Sequence, residues 1–381
     1  MNGISGRAIW ANYFLKHVAS GIDPRNGWLN GLRVRFLLQY RRYALPFRGP
    51  VRTAHGVWTV REGVIVRLED ASGRVGWGEA APVPGFGPET VEEEAGFLRG
   101  MGERIETVAL DAVPPAMPCL RRALGSACAG SAADKTALPP HLPVAALLPA
   151  GKAALAMVPV RSEAGFRTFK WKVGVGDAAD ELVLLDDLCA LLPEGARLRL
   201  DANGAWNRRT AERWLERCAE RPVEFVEQPC FALRASQVGG RLSKEDDLLL
   251  GLAGSFPTPI ALDESLAGDG DVERWIGAGW PGVFVVKPTL HGDLAGSLVQ
   301  LEKAKASVVF SSALETAVGM QAALRAAFAW REPTATKPRA LGFGVAPLFA
   351  DSRFDGPLAA PFLYREDVER LNPEAVWNAL S

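Results

Sequence analysis

From Leu142 onward the chain alternates short apolar runs with longer mixed ones. The apolar runs are of strand length: Pro143–Leu148, Thr168–Val173, Arg197–Leu200, Val223–Val226, Pro259–Leu262, Gly282–Val286, Ser307–Phe310 and Ala340–Val345. Helices are predicted between them, at Asp180–Leu192, Arg208–Glu220 and Met320–Trp330 among others. Eight strands alternating with helices fit a barrel of parallel strands better than an open sheet. No G-x-G-x-x-G opens a helix after a strand, which argues against a dinucleotide site. Ahead of this region the texture differs. Leu32–Gln39 predicts a strand, Pro46–Gly56 a Pro/Gly/Arg loop, and Gly63–Leu68 with Val75–Glu79 a hairpin. The Pro/Gly-rich stretch Ala80–Pro88 then leads to an acidic helix start at Glu89–Glu94, and a second helix is predicted near Cys119–Gly130. The division is an α+β capping unit at 33–138, rejoined by the tail from about 350 to 381, and a barrel at 139–349. Residues 1–32 are an extension to which no role is assigned.

Composition narrows the function classes. Apolar residues make up 48% and charged residues 23%, enough for a sizeable core. Lys and Arg number 43 against 44 Asp and Glu, so no basic field exists to hold nucleic acid or an anionic membrane. No run reaches the roughly 18 apolar residues of a membrane span. The stretch Ile9–Leu15 is short, is ended by Lys16 and His17, and precedes no small-residue cleavage signal, so a secretory leader is not expected. Five cysteines without a C-x-x-C pair suit reduced structural thiols. A soluble cytoplasmic protein is expected.

The informative charges sit where the apolar runs end. Five strands close on them: Lys170-Trp171-Lys172, Asp201-Ala202-Asn203, Glu227-Gln228-Pro229, Asp263-Glu264-Ser265 and Lys287-Pro288. Side chains alternate faces along a strand, so Lys170 and Lys172 share one face, as do Asp201 and Asn203. The C-terminal ends of barrel strands surround one common mouth. Taken singly, each acid can equally be a helix N-cap or a rim salt bridge. Asp201, Glu227 and Asp263 on successive strands repel one another unless a cation lies among them, and hard oxygen donors suit Mg²⁺. A partly desolvated lysine beside that cation has its charged form disfavoured. Such a lysine can take a proton from carbon next to a carboxylate while the metal supports the resulting negative charge.

These motifs, with the cap, resemble the enolase superfamily in its muconate-lactonizing-enzyme subgroup. The resemblance covers nearly the whole chain from about residue 33. Within the subgroup the chain is most similar to the o-succinylbenzoate synthases, on Arg48-Gly49-Pro50, Gly76-Trp77-Gly78-Glu79-Ala80-Ala81-Pro82, Phe284–Pro288 and Phe310-Ser311-Ser312-Ala313-Leu314-Glu315-Thr316. The resemblance implies an α/β fold, a (β/α)7β TIM-like barrel behind an N-terminal α+β cap. It also implies a metal-assisted syn-dehydration of 2-succinyl-6-hydroxy-2,4-cyclohexadiene-1-carboxylate to o-succinylbenzoate, on the route to menaquinone or phylloquinone. By the same resemblance Asp201, Glu227 and Asp263 bind Mg²⁺, with Mn²⁺ as a substitute. Lys172 abstracts the proton and then serves as the acid, Lys287 stabilises the charge that develops, and Lys170 keeps Lys172 reactive.

Asn203, Ser311, Ser312, Arg52 and Thr53 are the candidate contacts for a small dicarboxylate substrate, although a hydroxyl at 311 or 312 serves equally to cap the next helix. The loops Pro46–Gly56 and Ala81–Pro88 are expected to close over the mouth. His17, His55, His141 and His291 fall at no strand end opposite the acids, which disfavours a histidine base; His291 is expected in the loop after strand six. The rivals are an N-acylamino-acid racemase or another enzyme of the subgroup, and, more remotely, a non-catalytic ligand-binding barrel. A dipeptide epimerase is expected to carry an Asp-x-Asp pair after strand eight, where this chain has Gly342-Phe343-Gly344-Val345-Ala346-Pro347. Oligomeric state is left open.

Overall fold

The structure, a computed structural model, describes residues 34–53, 56–84, 86–87, 89–130, 138–231, 243–331, 333 and 338–380. The extension 1–32, His17 and His55 lie outside the described residues. The cap is an antiparallel sheet in the order β3-β2-β1-β4, formed by β1 (Arg35–Thr53), β2 (Gly56–Asp70), β3 (Val75–Ala80) and β4 (Arg104–Glu106). Early in β1, Phe36 and Leu38 are buried with the cap helices; later Tyr43, Leu45 and Phe47 turn the opposite face to the C-terminal tail. The expected loop at Pro46–Gly56 is a correction. The β1–β2 ladder continues through Val51↔Trp58, Arg52↔Val57 and Thr53↔Gly56, after a register shift between Pro46 and Val51. Gly49 and Pro50 fall within that shift, where the ladder needs no donor from proline.

Helix α1 (Val91–Met101) starts at Thr90 through a capping box with Glu93, as the acidic run predicts. Helix α2 (Pro118–Ala129) lies directly on β3. Its approach explains two glycines: a Cβ at Gly76 would sit 1.8 Å from the Ala127 carbonyl oxygen, and one at Gly78 1.9 Å from that of Ala123. Alternation then turns Trp77 and Glu79 to the other face of the strand.

The barrel sheet runs β6 (Ala146–Leu148), β7 (Thr168–Lys172), β8 (Arg197–Asp201), β9 (Val223–Glu227), β10 (Ile260–Leu262), β11 (Val283–Val286) and β12 (Ser307–Phe310), all neighbours parallel. The expected eighth strand, Ala340–Val345, is reduced to two bridging residues. Leu341 pairs with Val144 and Gly342 with Ser311, so this short segment joins the two edges and closes the ring. Helices α3 (Ala153–Glu163), α4 (Ala178–Leu191), α5 (Arg208–Cys218), α6 (Lys244–Ser255), α7 (Asp269–Gly277), α8 (Leu294–Lys303) and α9 (Ala317–Ala329) pack outside. Helix α9 begins three residues before the expected Met320, because the Thr316 side chain caps it. Inside the ring Phe225, Ala261, Val283, Val285 and Val309 form a separate apolar plug.

The tail returns through β13 (Phe362–Tyr364), antiparallel to β5 (His141–Pro143), and the helices α10 (Arg365–Glu369) and α11 (Pro373–Ala379). Val376 and Trp377 are buried with Tyr43, Phe47 and Leu348, which ties the tail to the cap sheet.

Candidate active site

Period-two alternation in β7 sends Phe169 and Trp171 outward and Lys170 and Lys172 into the lumen. Trp171 meets Trp214 of α5 at a ring separation of 6.4 Å. Parallel register sets Lys172 beside Asp201 and Asp201 beside Glu227. Asp263 and Lys287 follow the last residues of β10 and β11 directly. The strand ends thus bring the six expected ionisable residues to one mouth. Lys170 Nζ lies 2.9 Å from Asp201 Oδ2 and 2.6 Å from Glu227 Oε1. Lys287 Nζ pairs with Asp263 Oδ1. All three acids are buried.

Crowding shifts these groups in different directions. Burial works against the charge on Lys170, but Asp201, Glu227 and Asp263 outweigh it and hold that ammonium well above the ordinary lysine range. Lys172 moves the other way: burial comes first, and the charge on Lys170 adds to it, so its ammonium is held below the ordinary range. Burial and the neighbouring Asp201 push Glu227 up. Asp201 is kept low against the effect of burial, chiefly by Lys170. The donor set fits a hard divalent cation in kind: three carboxylates, now paired with Lys170 and Lys287, share the mouth, and the push of Asp201 and Asp263 on Glu227 is the repulsion that such an ion relieves.

Backbone geometry at the strand ends is fixed by Gln228, at φ +38°. Its side-chain oxygen accepts from the amides of Asp263 (2.9 Å) and Ser265 (3.2 Å), and its nitrogen donates to the Cys230 carbonyl and the Ser265 hydroxyl. The end of β9 is therefore pinned to the segment that follows β10 and carries Asp263. Asn203, at φ +43°, donates to Glu264 Oε1 at 3.0 Å. Asn203 Oδ1 and Glu264 Oε2 have no hydrogen-bond partner although both are buried. Burial, then Asp263 and Asp201, pushes Glu264 up to about 8.

Three lining residues escaped the sequence reading. Glu264 was visible only as the acid next to Asp263. Phe86, from the loop after β3, sets its ring 4.4 Å from Lys287 Nζ. Leu147 pairs in register with Lys170, so it shares the lumenal face, and it is 40% exposed.

The remaining expectations divide. Ser311 and Ser312 stand at the end of β12 with their hydroxyls engaged. Ser311 Oγ lies 3.3 Å from the Gly342 carbonyl oxygen. Ser312 Oγ donates to Glu315 Oε2 (3.1 Å) and accepts from the Leu314 amide. Arg52 and Thr53 belong to the end of β1, but their side chains lie outside the described residues. His291 does lie in a loop but is wholly buried, with Nδ1 3.6 Å from Asp269 Oδ1.

Comparison with known proteins agrees with this geometry. Residues 153–340 match the family model "Enolase C-terminal domain-like", and residues 36–129 match "MenC, N-terminal domain". An o-succinylbenzoate synthase from Thermosynechococcus vestitus is 40% identical over 81% of this chain and 92% of its own. One from Pectobacterium atrosepticum is 31% identical over 77% and 86%. The crystal structure of o-succinylbenzoate synthase from Thermosynechococcus elongatus, complexed with Mg in its active site, superposes with a TM-score of 0.71 at 36% identity, covering 90% of this chain and 99% of that one. The L-Ala-D/L-Glu epimerase of Bacillus subtilis shares the fold, with a TM-score of 0.70, 22% identity and coverage of 86% and 95%. With two o-succinylbenzoate synthases above 30% identity along most of their length, this chain belongs to the o-succinylbenzoate synthase family of the enolase superfamily.

Proposed function

We propose that this chain is a carbon–oxygen lyase that dehydrates 2-succinyl-6-hydroxy-2,4-cyclohexadiene-1-carboxylate to o-succinylbenzoate in quinone biosynthesis in the cytoplasm. The cap is assigned to 33–138 and the tail, and the barrel to 139–349. The observation that carries the reading is the convergence of Lys170, Lys172, Asp201, Glu227, Asp263 and Lys287 on one mouth, in a chain 40% identical to an o-succinylbenzoate synthase. Asp201, Glu227 and Asp263 would hold Mg²⁺, or Mn²⁺ in its place. The bound ion supplies Lewis-acid support for the substrate's ring carboxylate.

Lys172 takes the proton from the carbon that bears this carboxylate, and its lowered ammonium suits it to do so. Lys170 stays charged and keeps it in that condition. Lys287, held by Asp263 on the other side of the mouth, faces the charge that develops. The electron pair of the broken C–H bond expels the hydroxyl, and the proton carried by Lys172 leaves with it as water. One base acting on one face makes the elimination syn, and aromatisation of the ring drives it. Phe86 and Leu147 offer apolar walls to the ring, and Asn203, Ser311, Ser312, Arg52 and Thr53 are the candidate contacts for its polar groups.

The N-acylamino-acid racemase reading uses the same lysines and acids. The test is an ultraviolet assay of the cyclohexadiene dehydration with Mg²⁺, run beside racemisation of an N-acylamino acid. Dehydration is the expected outcome. Racemisation without dehydration overturns the assignment.

A further inference from the structure

Two buried side chains of the cap reach the barrel loop that carries Ser311 and Ser312, and the dehydration chemistry gives neither a task. Glu79 of β3 is 2% exposed. Its carboxylate accepts from the Thr316 amide (2.9 and 3.1 Å to its two oxygens), the Gly319 amide (2.8 Å), the Thr316 hydroxyl and, within the cap, the Tyr43 hydroxyl (2.6 Å). Thr316 caps α9 and Gly319 lies in its first turn, so an acid from the cap satisfies amides at the start of a barrel helix. The glycine suits that role: a Cβ at 319 would lie 3.0 Å from Glu79 Oε2 and 2.9 Å from Glu315 Cβ.

Arg61 of β2, 3% exposed, makes the opposite set of contacts. It donates to the carbonyls of Leu314 (3.1 Å) and Ala313 (3.2 Å) in the barrel, and to those of Pro82 (2.8 Å) and Ala81 in the cap. Leu314 sits at φ +62°, a region leucine rarely adopts, so this loop needs outside support to keep its shape. The acid holds the loop's amides and the base holds its carbonyls. Separating cap from barrel would strip the buried Glu79 of every partner but Tyr43 and leave Arg61 without its Ala313 and Leu314 acceptors.

We propose that Glu79 and Arg61 are positioning residues, through which the cap fixes the Ser311–Thr316 loop and thereby sets the affinity for substrate. Neither touches the metal ligands or the reacting lysines. Arg61 also holds Ala81 and Pro82 at the start of the loop that carries Phe86 over Lys287, so one clasp shapes two walls of the mouth. The inference rests on the dehydration reading for its kinetic readout alone.

The test is Glu79→Gln in the full chain, followed by hydrogen exchange and steady-state kinetics. Amides of residues 312–319 should exchange about tenfold faster or more while β1–β3 keep their protection. KM should rise about tenfold with kcat within about threefold of the parent. Thr316→Ser should keep the parental KM, and Thr316→Val should not. If Glu79→Gln fails to fold, Gly319→Ala, which crowds the same carboxylate, should give the same rise in KM. Parental exchange at 312–319 overturns the proposal, as does a lowered melting temperature with KM unchanged. A parent without dehydratase turnover ends the functional reading instead, and the exchange contrast alone then decides whether the clasp holds the loop.

Discussion

The two ends of the barrel each gather buried charge, and they do so differently. Arg199 stands two residues before Asp201 on β8 and points into the same lumen, toward the other end. There Arg199 Nε and Arg339 Nη1 each bond one oxygen of Glu224 at 2.7 Å, and Arg199 also donates to the Ala340 carbonyl. Burial alone would raise the Glu224 carboxyl, but the two guanidiniums hold it below the ordinary glutamate range. At the mouth, across the apolar plug, Asp201, Glu227 and Asp263 crowd around Lys170 and Lys287, Glu227 and Glu264 are pushed up, and Lys172 is held down. Two guanidiniums clamp one carboxylate at the floor; crowded acids at the mouth are what reactivity and a cation need.

That contrast is breakable, and the largest effect belongs to the mouth. Lys172→Ala should lower kcat by about 10³-fold or more with little change in melting temperature, since it removes the base and no core packing. Loss of turnover together with collapse of the fold would contradict the assignment. At the floor the pattern inverts. Arg199→Leu leaves Glu224 with half its pairing and should cost about 3 kcal/mol in denaturant unfolding, while the folded fraction keeps its kcat.

A pH series sharpens the same point. Because folding lowers the pKa of Glu224, the folded state binds that proton more weakly than the unfolded one. Its stabilisation is fully present above the ordinary glutamate value and is lost as pH falls through the depressed one. The gap in melting temperature between the parent and Glu224→Gln should therefore be wide at about pH 7 and narrow toward about pH 3. A gap independent of pH would mean that the pairing carries no such linkage. The smallest effect is expected from Phe86→Leu. Losing the ring over Lys287 should change kcat/KM by only a few-fold, in line with a cation–π contact of about 1 kcal/mol.

The mouth was legible in the sequence because charges interrupt apolar runs at a repeated place, and period two decides which of them share a face. Lys170-Trp171-Lys172 is the clearest case: the tryptophan packs on α5 and the lysines face the acids. The hairpin end at 46–56 was misread because Gly49 and Pro50 carry loop signals inside a ladder that tolerates them at a register shift. The clasp was illegible for another reason. Glu79 and Thr316 stand 237 positions apart, and nothing in either neighbourhood announces a partner in the other domain. The floor gave no signal either, since Arg339 reaches Glu224 from outside the strands.

The claim at the centre is that the mouth acids, and not the floor acid, gather a divalent cation. Calorimetric titration of Mg²⁺ into the parent, Glu227→Gln and Glu224→Gln tests it directly. Binding should be lost in Glu227→Gln and match the parent in Glu224→Gln. Equal binding in the parent and Glu227→Gln would contradict the account.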